Sequence, residues 1–292
     1  MKSLIVNADD LGWTAGVNRG IAEAHRSGIV TSTSLLANGA AFEDGVNVSR
    51  ALPAMGVGVH LNLSDGAPVS ESGQVPSLVD EQGKLSGGTE QVLLKLARRK
   101  LKLSEVEREW DAQIAKIRAA GISPTHLDGH KHVHMLPGLF PLALKLAKRH
   151  GISSIRISSE ASSLRAALSG KSGRDASVKL KQGIQARALK LVSGDARRLA
   201  DKAGIEAADY FCGIAQTGVL SRDGVLDLLE TLPEGTTELM CHPGYVDDAL
   251  VASATRLQGS RETELAILTD TSVRKSVASH AIRLINYGQI AN

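Results

Sequence analysis

Short apolar runs alternate with helical stretches along almost the whole chain, and that rhythm limits the fold more than any other feature. Leu4–Ala8, Thr31–Ala37, Gly56–Leu63, the run ending at Asp128, Ser154–Ser158, Asp209–Ile214, Thr237–Gly244 and Ile282–Asn286 read as strands. Helical patterns separate them at Ala15–Arg26, Ala41–Leu52, Thr89–Leu103, Ser104–Ala120, Leu139–His150, Ser221–Thr231 and Glu262–Ser279. Strands joined by helices lie parallel. About eight such units predict a single distorted (β/α) TIM-like barrel of seven to eight parallel strands, one domain over residues 1–292. An open doubly wound sheet is the runner-up, but no glycine-rich dinucleotide turn follows the first strand.

Two segments break the rhythm. Residues 64–88 are rich in Gly, Ser and Pro and form a loop insertion, expected to lie over the molecule and cover a bound substrate. Residues 159–204 form a basic helical insertion, read as a solvated face. Ser104 with Glu107 suggests a capping box.

Composition narrows the function. Of 292 residues only three are Phe, three Tyr and two Trp, too few for base-stacking platforms, and the formal charge of +3 is spread evenly. A nucleic-acid partner is therefore not expected. No apolar run approaches the roughly 18 residues of a membrane span. Met1-Lys2-Ser3 leads straight into a strand that ends in carboxylates, so a secretory signal is not expected and the cytoplasm is the predicted location. Cys212 and Cys241 sit in apolar runs and read as buried free thiols.

Four of the nine histidines fall between positions 126 and 134, in Thr125-His126-Leu127-Asp128-Gly129-His130-Lys131-His132-Val133-His134. On one extended strand the first and last would lie roughly 26 Å apart. A single metal could not collect them, so the strand must stop near Asp128 and turn at Gly129. Four strands end in polar groups: Asp9-Asp10, His60, Asp128 with His130, and Cys241-His242. In a parallel barrel those ends share the rim where chemistry is done. Adjacent carboxylates invite a division of labour. One binds a cation while the other stays free to take a proton.

These residues resemble the YdjC-like family of carbohydrate deacetylases. The resemblance rests on Ile5-Val6-Asn7-Ala8-Asp9-Asp10-Leu11-Gly12, Gly28-Ile29-Val30-Thr31-Ser32-Thr33, Gly58-Val59-His60-Leu61, the histidine stretch, and Met240-Cys241-His242-Pro243-Gly244. The family usually has Phe where this chain has Leu11. The resemblance implies a hydrolase that removes acetyl groups from N-acetylated sugars with one divalent cation. By position it implies Asp10, His60 and His130 as metal ligands, Asp9 as general base and His242 as acid. His132, His134 and Arg156 are expected to line the substrate pocket, with a satisfied structural polar group as the alternative for each and pairing with a carboxylate an equal reading for Arg156. Family members are often assigned Mg, whereas two His and one Asp suit Zn, Co or Mn better by ligand softness. A subgroup acts in hopanoid lipid synthesis, so the acceptor stays open between chitooligosaccharides and glycolipids. A homodimer is compatible with the sequence. The rival readings are a phosphoesterase and a non-catalytic sugar-binding regulatory barrel.

Overall fold

The computed structural model describes residues 1–85, 87–168, 195–253 and 255–290. Among the described residues there are eight strands: β1 (Lys2–Leu11), β2 (Ser32–Leu35), β3 (Gly56–Leu61), β4 (His126–Gly129), β5 (Ser154–Ile155), β6 (Tyr210–Cys212), β7 (Gly235–Cys241) and β8 (Arg283–Leu284). The sheet order is β5-β4-β3-β2-β1-β7-β6, with β8 on β1, and every pairing is parallel. Isolated bridges Ser154–Glu206 and Glu160–Phe211 tie the two ends of this order together. The fold is thus the expected distorted (β/α) barrel, with one seam held by single bridges instead of a full ladder.

The strands β1, β2, β3, β4 and β7 are largely buried on both faces, and β1, β3 and β7 read accordingly as apolar runs. Gly56-Val57-Gly58-Val59-His60-Leu61 is buried throughout. The helices around them are α1 (Ala15–Ser27), α2 (Phe42–Ala51), α3 (Gly88–Ala97), α4 (Leu103–Ala119), α5 (Leu139–His150), α6 (Ser162–Leu168), α7 (195–203), α8 (Arg222–Thr231), α9 (Asp248–Val251), α10 (Gly259–Thr269) and α11 (Thr271–Ser279). Helix α1 turns Val17, Ile21 and Ala24 to the sheet, and Thr14 caps it by accepting from the Val17 N–H at 3.2 Å.

Several local expectations need correction. No capping box forms at Ser104. Helix α4 begins at Leu103 after Lys102, and Ser104 lies inside it. The span 262–279 is two helices, because Asp270 adopts an extended conformation and caps α11 through the Ser272 N–H. Of the basic insertion, α6 and α7 are seen, and 169–194 lies outside the described residues.

The 64–88 insertion is fastened down, not loose. Glu109 accepts the N–H groups of Val69 and Ser70 at 2.8 and 2.9 Å, and Glu105 accepts that of Ser77 at 2.6 Å. Its own Val75, Leu78 and Leu85 are buried against the core. Two carboxylates on α4 therefore do for this loop what a sheet partner does for a strand: they satisfy its backbone donors. At its start Asp65 reaches His130 and Lys131 of the histidine stretch, and just past its end Thr89 donates to the Lys131 carbonyl.

Candidate active site

The site begins with an irregularity in β1. Ala8 pairs with Thr33 and Leu11 with Leu35, so β1 advances three residues while β2 advances two. The extra residue is a bulge at Asp9-Asp10, and Asp10 takes φ +75°. In regular strand the two carboxylates would point to opposite faces. The bulge re-aims one of them, a use bulges often serve beside active sites. The left-handed conformation costs roughly 1–2 kcal/mol for a residue with a Cβ.

Asp10, His60 and His130 bring ligand atoms within 4.8 Å of one another. Asp10 Oδ1 lies 3.0 Å from His130 Nδ1 and 3.6 Å from His60 Nε2. It is buried and has no hydrogen-bond partner. His60 sits opposite Asp128 in the β3–β4 register and donates from Nδ1 to Asp128 Oδ1 at 2.8 Å. That bond orients the ring and leaves Nε2 for another task, the usual arrangement behind a metal-ligating histidine. Beside His130, Nε2 lies 3.3 Å from Asp65 Oδ2, which also takes Lys131 Nζ at 2.6 Å. An orphaned carboxylate oxygen, a backed imidazole and a second imidazole fit a divalent cation with N/O preference. Burial pulls the His60 pKa down, but Asp128 overcomes it and holds the ring up to about 9. Cation binding through Nε2 must displace that proton.

Arg156 lies behind this group, fully buried on the segment after β5. Its Nη1 and Nη2 donate to Asp9 Oδ2 and Oδ1 at 2.8 and 2.7 Å. Nη1 also lies 2.7 Å from Asp128 Oδ2, and Nε donates to Glu238 at 2.8 Å. Burial raises the Asp9 pKa, and Arg156 more than reverses it, so Asp9 stays ionised below the usual carboxylate range. Glu238 is pushed up to about 7 by burial and accepts a short hydrogen bond from the Tyr287 hydroxyl. Arg156 was expected in the substrate pocket. The structure puts it beneath Asp9, with each guanidinium nitrogen on a carboxylate.

The histidine stretch divides as its spacing requires. Strand β4 ends at Gly129, and Lys131 and His132 turn left-handed at φ +52° and +58°. His130 reaches the ligand group. His132 pairs through Nδ1 with Ser158 Oγ at 2.9 Å, and His134 donates from Nε2 to the Arg156 carbonyl at 3.0 Å. His134 is fully buried, whereas His132 is 7 % exposed. His126 stays within the strand, stacked on Tyr287 at 3.8 Å. His132 thus remains at the rim, and His134 buttresses the Arg156 backbone.

His242 follows directly on the Ala8–Cys241 pair, so it stands next to Asp9. Burial holds its pKa down at about 4, despite Asp9 and Asp10 nearby. Its backbone N–H goes to Glu264 on α10, and the Gly244 N–H goes to the Arg261 carbonyl at 3.2 Å. A Cβ on Gly20 of α1 would lie 2.4 Å from the Gly244 Cα, so the segment is wedged between α1 and α10.

A profile of YdjC-like proteins matches residues 3–279. The chain belongs to the YdjC-like family. A carbohydrate deacetylase of Brevibacillus brevis is 31% identical over 98% of this chain and 99% of its own length. A chitooligosaccharide deacetylase of Salmonella paratyphi B is 34% identical over 97% and 96%. A solved Enterococcus faecalis protein, named for cellobiose-phosphate cleavage, superposes with a TM-score of 0.78 at 30% identity, covering 98% of this chain and 97% of that one.

Within this YdjC-like chain, sequence reasoning passed over three buried charges around the site, Glu238, Arg261 and Glu264, and the half-buried Asp65. Glu238 gave a signal, because a carboxylate inside the apolar run Thr237–Cys241 needs a buried partner. Asp65, Arg261 and Glu264 gave none. Each stands in a polar stretch where a solvated side chain is the ordinary outcome.

Proposed function

We propose that the protein is a metal-dependent hydrolase that removes the acetyl group from an N-acetylated amino sugar. The carrying observation is the grouping of Asp10 Oδ1, His60 and His130 beside a further ionised carboxylate, Asp9, which itself lies within ligand distance of His60 and Asp128. Metal binding alone needs no spare carboxylate. A phosphoesterase would need cations turned toward the ligands. Arg156 is fully occupied by Asp9, Asp128 and Glu238, Lys131 reaches Asp65, and Arg261, the cation that does touch a ligand, donates to Asp10 Oδ2. The names of the relatives favour the same reading and an oligosaccharide acceptor.

The cation, when bound, supplies Lewis acidity to the reacting carbonyl. Asp9 accepts the proton of the attacking water, held in place by Arg156 on both oxygens. His242 lies beside it and hands a proton to the departing amine. Because burial keeps this imidazole neutral at rest, it must load that proton during turnover. His132 at the rim contacts the sugar. Zn and Mg are the candidate cations, and the two-imidazole donor set favours Zn.

The test is release of free amine from chitobiose, longer chitooligosaccharides and acetylated glycolipid acceptors by chelator-stripped protein, with each metal restored. Amine release that returns only with metal supports the reading. Metal-independent release, or none on any acceptor, refutes it.

A further inference from the structure

One turn of α10 reaches into the centre from a helix remote in sequence. Arg261 is 1 % exposed, and its Nη2 donates to Asp10 Oδ2 at 2.6 Å. Its Nε donates to the Leu257 carbonyl at 3.0 Å, so the guanidinium is anchored to the segment that leads into its own helix. Its aliphatic stem lies against Gly244, where a Cβ would stand 3.2 Å from Arg261 Cδ. Asp10 Oδ2 is thereby committed, while Oδ1 has no hydrogen bond and faces His60 and His130. A carboxylate so tied can present one oxygen to a cation, not two.

We propose that Arg261 is a positioning residue that confines Asp10 to single-oxygen ligation of the metal, by holding Oδ2 away from it. This rests on the metal-site reading above. The consequence is specific. Removing the guanidinium frees Oδ2 to swing toward the cation, and it also removes a like charge beside it. Metal binding therefore holds or tightens, while the extra carboxylate oxygen fills a coordination position that substrate and water need. Turnover falls although occupancy does not. Loss of a purely structural side chain would instead weaken binding and turnover together.

The experiment compares wild type, Arg261→Met and Arg261→Lys, each loaded with cobalt(II). Cobalt affinity is read by competition with a chromophoric chelator, coordination by the visible spectrum, and turnover by amine release at saturating cobalt. Cobalt(II) absorbs more weakly as its coordination number rises. For Arg261→Met the expected results are a dissociation constant no higher than wild type, weaker visible absorption, and kcat lower by about 10–100-fold, the usual cost of losing a group that orients a ligand. Arg261→Lys keeps a charge and a donor, and should regain the wild-type spectrum and most of kcat. It also answers the question if the methionine variant fails to fold, since a lysine variant with weakened absorption overturns the proposal. So does a methionine variant with an unchanged spectrum, or one whose lost activity returns on adding more cobalt. A wild type that binds cobalt but deacetylates nothing refutes the reaction alone, and the affinity and spectrum still decide Arg261. A wild type that binds no cobalt refutes both.

Discussion

Replacing Arg156 with Met should nearly unfold the protein at neutral pH, and acid should partly rescue it. One guanidinium serves Asp9, Asp128 and Glu238 at 2.7–2.8 Å, and all four groups are buried. Breaking one buried pair by removing a single partner costs roughly 3–5 kcal/mol, because the other charge is stranded. Here one substitution strands up to three. Domain stabilities of about 5–15 kcal/mol leave little margin for that.

The pH dependence has a definite sign. In the wild type, Arg156 holds the Asp9 and Asp128 pKa values below their ordinary 3.8, so both contribute stability above that pH and lose it as pH falls through their folded values. Without Arg156 burial loses its main opponent and both folded values move up, most at Asp9, since the His60 ring still holds Asp128 down through its hydrogen bond. The variant then gains stability as pH falls toward 4, and the gap to wild type narrows. Urea unfolding followed by circular dichroism between pH 5 and 8 measures this. Arg156→Lys should lose less, since it keeps the charge but not the fork. A loss below about 1 kcal/mol for Arg156→Met at pH 8 would refute the account. So would a gap that widens on acidification.

Four further outcomes follow from the same geometry. Asp10→Asn should lose most bound metal and regain part of its activity with excess cation, while Asp9→Asn keeps its metal and loses kcat and kcat/KM alike; metal content and steady-state kinetics would exchange the two roles if they come out reversed. Glu238→Gln removes a group whose folded pKa is raised from 4.5 to about 7, so wild-type stability relative to this variant should fall as pH rises from 5 to 8; parallel stability curves would contradict that. Gly20→Ala should cost on the order of 1–3 kcal/mol and depress kcat, because backbone of the His242 segment occupies the added methyl's space; an unchanged melting temperature rules it out. Glu109→Ala strands the N–H groups of Val69 and Ser70 and should loosen the 64–88 segment, at roughly 1–3 kcal/mol for each donor; unaltered hydrogen exchange there would show another anchor.

The fold was legible because its signal is repeated: β1, β3 and β7 carry apolar runs, and strands alternate with helices along the described residues. The ligand grouping was legible because polar residues ending buried strands have few other uses, and Asp10, His60 and His130 do converge. What stayed hidden depends on tertiary neighbours. The bulge at Asp9-Asp10 exists only in the pairing of β1 with β2. Arg156, on a short strand, could point to rim or core, and only the three carboxylates around it decide for the core. A Ser-x-x-Glu spacing at 104–107 was true locally yet lost to a helix that starts one residue earlier. In the 64–88 segment, length and composition signalled a loop but not the two glutamates on α4 that hold it.

The charge around the centre favours a cation independently of ligand geometry. Asp9, Asp10, Asp128, Glu238 and Glu264 are all buried, and the guanidiniums among them are Arg156 and Arg261. Asp9, Asp10 and Asp128 are held below the usual carboxylate range and stay ionised at neutral pH. Burial raises Glu238 and Glu264 to about 7, where each shares its proton with solvent. His60 holds a proton up to about 9, which offsets one of these charges. When that proton leaves so that Nε2 can coordinate, the group is left more negative still, and in a low-dielectric interior such an excess is costly. On the proposed reading, a divalent cation at Asp10 Oδ1 would supply the missing charge at the atom that lacks a partner. The same reading gives Arg261 a purpose: it occupies Asp10 Oδ2, an oxygen that would otherwise add to the charge facing the cation.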